Sequence, residues 1–174
     1  MKDLRARLGF GTLLMGGVVA IFWFDRGAAD PWPTVVVLGL LSLAALVECC
    51  HMLAAAGLRP QISAALVLGA LTLIGAALGW PRTLGVGLPL ALYLVFEVLR
   101  REPKLAVQRL AGTLLAWAIV PLLLAEAITL RTSIPQGWSW LVFLVAVCKV
   151  GDSCGYLVGT AFGRHKLITE VSRN

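Results

Sequence analysis

The chain has 174 residues, 59% of them hydrophobic and 14% charged, with a mean hydropathy of +0.89. A soluble domain carries about 25% charged residues, so this composition excludes a water-covered globule and predicts helices in a bilayer. The formal charge of +6 and the pI of 9.6 come from basic residues set between apolar runs, with no lysine-rich tract interleaved with aromatics. Membrane topology and anionic lipid head groups account for such a pattern, and nucleic acid is set aside.

A bilayer core of ~30 Å is crossed by ~20 helical residues. The first apolar run covers residues 8–24, after Lys2, Arg5 and Arg7. It is long for a signal peptide, and residues 25–30 offer no convincing cleavage site, so it is read as an uncleaved span. Asp25 to Asp30, Pro31 and Pro33 predict a loop. A second span is expected over 34–54, closed by Gly57-Leu58-Arg59-Pro60, and a third over 62–79. Trp80-Pro81-Arg82 reads as a tight turn before a fourth span over 83–99, and Arg100 to Lys104 as the next loop. The fifth span begins near Leu105 or Leu110 and runs to Leu130. A loop containing Pro135 leads to the sixth, over 138–162.

The predicted fold is all-α: a polytopic membrane protein of about six transmembrane helices, forming a single domain over residues 1–174. With the N-terminus inside, eleven basic residues fall on one face: Lys2, Arg5, Arg7, Arg59, Arg100, Arg101, Lys104, Arg109, Arg164, Lys166 and Arg173. Three fall on the other, Arg26, Arg82 and Arg131. Positive charge collects on the cytoplasmic side, which predicts a multi-pass protein of the cell (inner) membrane with both termini cytoplasmic. Cys49, Cys50, Cys148 and Cys154 lie in apolar runs without a CxxC and read as small buried hydrophobes.

Chemistry concentrates near the C-terminus. Lys149 and Asp152 each cost roughly 2.5–3.5 kcal/mol at the centre of a membrane helix. At i and i+3 they can face one another, either as a self-neutralising pair or as a polar pocket offering Asp152 to a metal or a substrate cation. Gly151, Gly155, Gly159 and Gly163 form a small-residue ridge that predicts close helix packing, with Asp152 buried beside it. Arg164, His165 and Lys166 follow at the expected inner surface. Basic groups there can bind phosphate or simply anchor the helix. Glu97 is expected to pair with Arg100 or Arg101. Glu48 near His51 reads as an interfacial polar pair, with a metal pair as the alternative.

The run Lys149-Val150-Gly151-Asp152-Ser153-Cys154-Gly155-Tyr156, then Gly159, then Phe162-Gly163-Arg164-His165-Lys166-Leu167, resembles the phosphatidate cytidylyltransferases. These are the CDP-diacylglycerol synthases of phospholipid synthesis. Glu170-Val171-Ser172 falls where that family begins its Ser-Pro-x-Lys-Thr signature, and residues 109–115 give a weaker echo. The resemblance implies that CTP and phosphatidate give CDP-diacylglycerol and diphosphate, with Mg²⁺ as cofactor. It implies catalytic roles for Asp152 and Lys149, substrate binding by Arg164, His165, Lys166 and Ser172, and Asp152 as a metal ligand. Cys154 stands where the family more often has Gly or Ala. The family's later motifs, which supply most of its acidic ligands, do not appear before Asn174. The expectation is therefore an N-terminal portion that is inactive alone, working as a homodimer or with a separate C-terminal partner chain. A CTP-dependent lipid-alcohol kinase and a non-catalytic scaffold or transporter subunit remain as alternatives.

Overall fold

The structure is a computed structural model that describes residues 17, 20, 23–27, 31–100 and 102–162. Among these every regular element is helical. A 3₁₀ turn, Asp25–Gly27, precedes α1 (Trp32–Ala55), α2 (Ile62–Ala77) and α3 (Arg82–Leu99). A second 3₁₀ turn, Pro103–Leu105, leads into α4 (Ala106–Trp117). A π-helical turn, Ala118–Leu122, joins α4 to α5 (Leu123–Ser133), and α6 (Gly137–Phe162) follows.

Local chemistry sets these boundaries. Pro33 lies inside the first turn of α1 rather than in the expected loop, because a proline there lacks only an N–H that has no helical partner. α1 and α2 end alike. Gly57 (φ 94°) and Gly79 (φ 68°) adopt the left-handed conformation. Leu58 N–H then donates to Leu53 O, and Trp80 N–H to Gly75 O, the closing bond of a Schellman cap. Arg131, expected in a loop, sits in the last turn of α5. Pro121 cannot donate to the carbonyl four residues back, and its ring crowds that carbonyl. The π turn around it widens the backbone and keeps Pro103–Ser133 one continuous rod.

Four helical stretches are long and apolar enough to cross a membrane: Trp32–Ala55, Arg82–Leu99, Pro103–Ser133 and Gly137–Gly155. α2 is apolar but has only 16 residues, which at 1.5 Å each gives roughly 24 Å, short of a ~30 Å core. The described residues therefore hold four full-length membrane helices and a short one, where the sequence suggested five of full length. Of the first expected span, residues 8–16, 18, 19, 21 and 22 lie outside the described residues.

α2 is the hub, packing on α1, α3, α4, the π turn and α5. Small residues allow it. A Cβ on Gly69 would lie 2.9 Å from the Pro121 ring, and one on Gly75 would lie 3.1 Å from the Gly85 backbone. Leu46, Ala65 and Ala116 are fully buried around this axis, and Leu68, Tyr93 and Trp117 form a neighbouring cluster. Large apolar side chains such as Leu40, Val67, Leu92 and Phe143 point outward. That surface suits lipid and not water.

Candidate functional site

α6 carries the chemistry-bearing sequence. It packs on α5 near its start, where Leu141 is buried and Gly137 fits against the Leu130 and Arg131 carbonyls. Beyond that no described element covers the helix: Lys149, Gly151, Asp152 and Gly155 are all exposed. A Cβ added at Gly151, Gly155 or Gly159 would meet nothing within 4 Å. The expected burial of Asp152 behind a packed glycine ridge is thus not what the described residues form, because α5 diverts contact to the opposite end of α6. Lys149 and Asp152 make no ion pair with each other. Cys148 and Cys154 share this open stretch and are exposed, contrary to the buried role expected of them, while Cys50 is buried and all four thiols are free. Arg164, His165, Lys166, Ser172 and Gly163 lie outside the described residues.

Depth along α6 places Asp152. It is fifteen residues from Gly137, roughly 22 Å along the helix. In a ~30 Å core that leaves it close to one membrane face. The same face carries the Gly57–Gln61 loop, the end of α3 and the start of α4.

A buried charge cluster closes the bundle at that face. Arg109 is 6% exposed in the first turn of α4, and Glu97 is 6% exposed in the last turn of α3. Arg109 donates from Nε to Glu97 Oε1 at 2.6 Å, from Nη1 to Glu102 Oε2 at 3.1 Å and from Nη2 to the Glu102 carbonyl at 2.9 Å. Gln61 Nε2 donates to the other Glu97 oxygen at 3.1 Å, and its backbone N–H donates to Thr113 Oγ1 at 3.0 Å. Glu97 therefore pairs with Arg109 and not with Arg100, one of the two partners expected, which reaches Glu102 at 3.3 Å; the other, Arg101, lies outside the described residues. Proximity in sequence misled here. The available signal was depth, since Glu97 and Arg109 lie at matching levels of successive antiparallel spans. A cavity of about 690 Å³ lies alongside, lined by Glu97, Glu102, Leu94 and Leu110 among others. Both Glu97 oxygens and all three Arg109 nitrogens are already engaged, so this buried pair ties the α1–α2 and α3–α4 connections together.

The opposite face accounts for its three cations. Arg131 donates to Asp25 Oδ2 at 3.0 Å and to the Asp25 carbonyl at 2.9 Å, and Thr34 donates to Asp25 Oδ2 at 2.7 Å. Arg82 pairs with Glu126. Arg26 lies over the rings of Trp23 and Trp138. Asp25, read from sequence as a loop residue, is fully buried.

Among the described residues no three His, Cys, Asp or Glu side chains gather as a metal site. Glu48 and His51 stay exposed on α1. Asp152 fits a more limited part. Mg²⁺ keeps several waters and is held by one or two carboxylates plus phosphate oxygens, and an exposed carboxylate near a membrane face can contribute one such ligand.

A model of the cytidylyltransferase family, which includes phosphatidate cytidylyltransferase, matches residues 5–174. No curated protein and no solved structure matches the chain. The match spans the apolar helices, the Arg109 cluster and the Lys149-to-Ser172 segment together, and the chain belongs to the cytidylyltransferase family.

Proposed function

We propose that this membrane protein acts in CDP-diacylglycerol formation, as a CTP:phosphatidate cytidylyltransferase. The family match over residues 5–174 carries the reading. The placement of Asp152 and Lys149 on an uncovered stretch of α6 near one membrane face supports it. In the proposed topology six spans cross the cell (inner) membrane, both termini are cytoplasmic, and that face is the cytoplasmic one.

A phosphate oxygen of phosphatidate forms a bond to the α-phosphorus of CTP, the bond from that phosphorus to the bridging oxygen breaks, and diphosphate leaves. Both reactants are anions, so the barrier is largely electrostatic. Asp152 would be a ligand of Mg²⁺, which when bound offsets charge on the transferring group. Lys149, three residues away, offers an ammonium to a phosphate oxygen at the same level. Arg164, His165, Lys166 and Ser172 complete the proposed phosphate contacts. The open side of α6 gives a lipid-borne phosphate lateral access from the bilayer.

The test is formation of CDP-diacylglycerol from labelled CTP in membranes carrying this chain, alone and together with a family member's C-terminal portion. The expected result is Mg²⁺-dependent product in the supplemented membranes, lowered by about 10²-fold or more in Asp152→Asn. Product that is indifferent to Asp152→Asn would displace the residue from the site. No product in either arm would remove the reading.

A further inference from the structure

α2 and α3 touch closely at one end, where Gly75 meets Gly85. Toward the other end they leave a groove of about 340 Å³, lined among others by Ser63, Ala64, Leu71, Pro89 and Phe96. Its floor is Leu68 (2% exposed) and Tyr93 (5% exposed). That floor is held from behind: Trp117 Nε1 donates to Thr72 Oγ1 at 3.0 Å, and Thr72 Oγ1 donates to the Leu68 carbonyl at 2.9 Å. The rims, Val67, Leu92 and Phe96, are 60%, 51% and 51% exposed, so the groove opens sideways to the lipid.

Its length and its charges point to one occupant. From Ser63 to Leu71 is eight residues of α2, roughly 12 Å, nearly the depth of one leaflet of a ~30 Å core. Arg100 continues the α3 helical conformation, its N–H bonded to Phe96 O, and so sits one turn above Phe96 on the same face. Arg59 precedes Ser63 by four residues, is exposed, and makes no hydrogen bond or ion pair among the described residues. Beside it, Glu97 and Glu102 offset Arg109 and Arg100 charge for charge, Arg100 being exposed and 3.3 Å from Glu102, so Arg59 adds a net positive charge. The mouth of the groove therefore presents cationic charge at headgroup level above an apolar slot.

We propose that this groove holds one acyl chain of an anionic phospholipid of the surrounding bilayer, with its phosphate between Arg59 and Arg100. The site lies between α2 and α3, apart from Lys149 and Asp152 on α6, and does not depend on the proposed reaction. A lipid seated there fills a slot that would otherwise leave the inward halves of two helices poorly packed.

The experiment uses the full chain in lipid nanodiscs doped with phosphatidylglycerol or phosphatidylcholine bearing a photoactivatable group midway along the acyl chain. Crosslinks are mapped by peptide mass spectrometry. Labelling by the phosphatidylglycerol probe should concentrate on Val67, Leu71 and Leu92, over equally exposed positions of α6 such as Phe143 and Val147. The preference for phosphatidylglycerol over phosphatidylcholine should fall about fivefold for each of Arg59→Gln and Arg100→Gln. Ala64→Phe, which fills the slot, should abolish labelling, and the two arginine variants keep the test informative should that protein fail to fold. Labelling spread evenly over all exposed apolar residues would overturn the proposal. So would an unchanged lipid preference in both arginine variants, or a Val67→Cys variant that crosslinks to a second copy through this face.

Discussion

Arg109 carries a guanidinium into the apolar part of its span. Its stability there rests on having every donor group answered by Glu97, Glu102 and the Glu102 carbonyl. Removing one partner of a buried pair costs about 3–5 kcal/mol, whereas replacing both by apolar residues is often neutral. Arg109→Leu is therefore expected to lower the unfolding midpoint strongly in a detergent titration, and Arg109→Leu combined with Glu97→Leu should recover much of the loss. A single variant as stable as the parent would mean that the pair does not hold the bundle. The Trp117–Thr72 bond is a neutral counterpart. Thr72→Val keeps the shape but leaves a buried indole N–H without its acceptor, which costs about 1–3 kcal/mol. Trp117→Phe combined with Thr72→Val should lose less through that bond than Thr72→Val alone, a comparison made in the same titration.

Helix elements meet where side chains are absent, and two sets of glycines differ in what they face. A Cβ on Gly112 of α4 would lie 3.0 Å from the Pro60 backbone nitrogen and 3.2 Å from its Cα. The α1–α2 loop is pinned there by the Gln61–Thr113 bond, so it cannot retreat without breaking that bond. Gly112→Leu is expected to cost about 1–3 kcal/mol through overpacking, read as a lower midpoint and reduced yield of monodisperse protein. Gly155→Leu on α6 meets open space and should leave the midpoint of the isolated chain unchanged. A comparable loss from Gly155→Leu would show that the ridge is covered in the folded chain. The α4–π–α5 rod has its own logic. Pro121 fixes the widened turn against Gly69 of the hub helix, so the break lies at the centre of the bundle and not at a lipid-exposed surface.

At the scale of the whole molecule, alternating helices put Arg59 and Glu102 at one face and Gln136 at the other. The two faces treat charge differently. Among the described residues, one leaves Arg59 unpaired beside the Arg100–Glu102 and Arg109–Glu97 pairs, while the other sets Arg131 against Asp25, Arg82 against Glu126, and Arg26 against aromatic rings. The positive-inside preference counts Lys and Arg and not net charge, so the eleven-to-three split of basic residues carries the orientation. In a cysteine-free background, a membrane-impermeant maleimide applied to intact cells should label Gln136→Cys and leave Arg59→Cys unlabelled until the membrane is opened. The reverse pattern would invert the proposed topology.

The sequence alone determined the helical class, the position of most membrane helices and the family, because each rests on local signals. Apolar runs of membrane length, Gly and Pro at helix ends, and the ordered Lys149-to-Ser172 segment can be read without knowing what touches what. Charge pairing could not be read that way. Glu97 stands near Arg100 in sequence, yet antiparallel packing brings Arg109, twelve residues on, to the same depth and into its reach. Asp25 and Arg131 are 106 residues apart and meet only because the first turn and α5 end at one face. The open side of α6 was equally hidden, since a glycine ridge marks a surface able to pack closely but does not say which helix occupies it. Tertiary structure decided these points because burial and partner choice depend on which helices are neighbours, and periodicity within one helix carries no record of its neighbour.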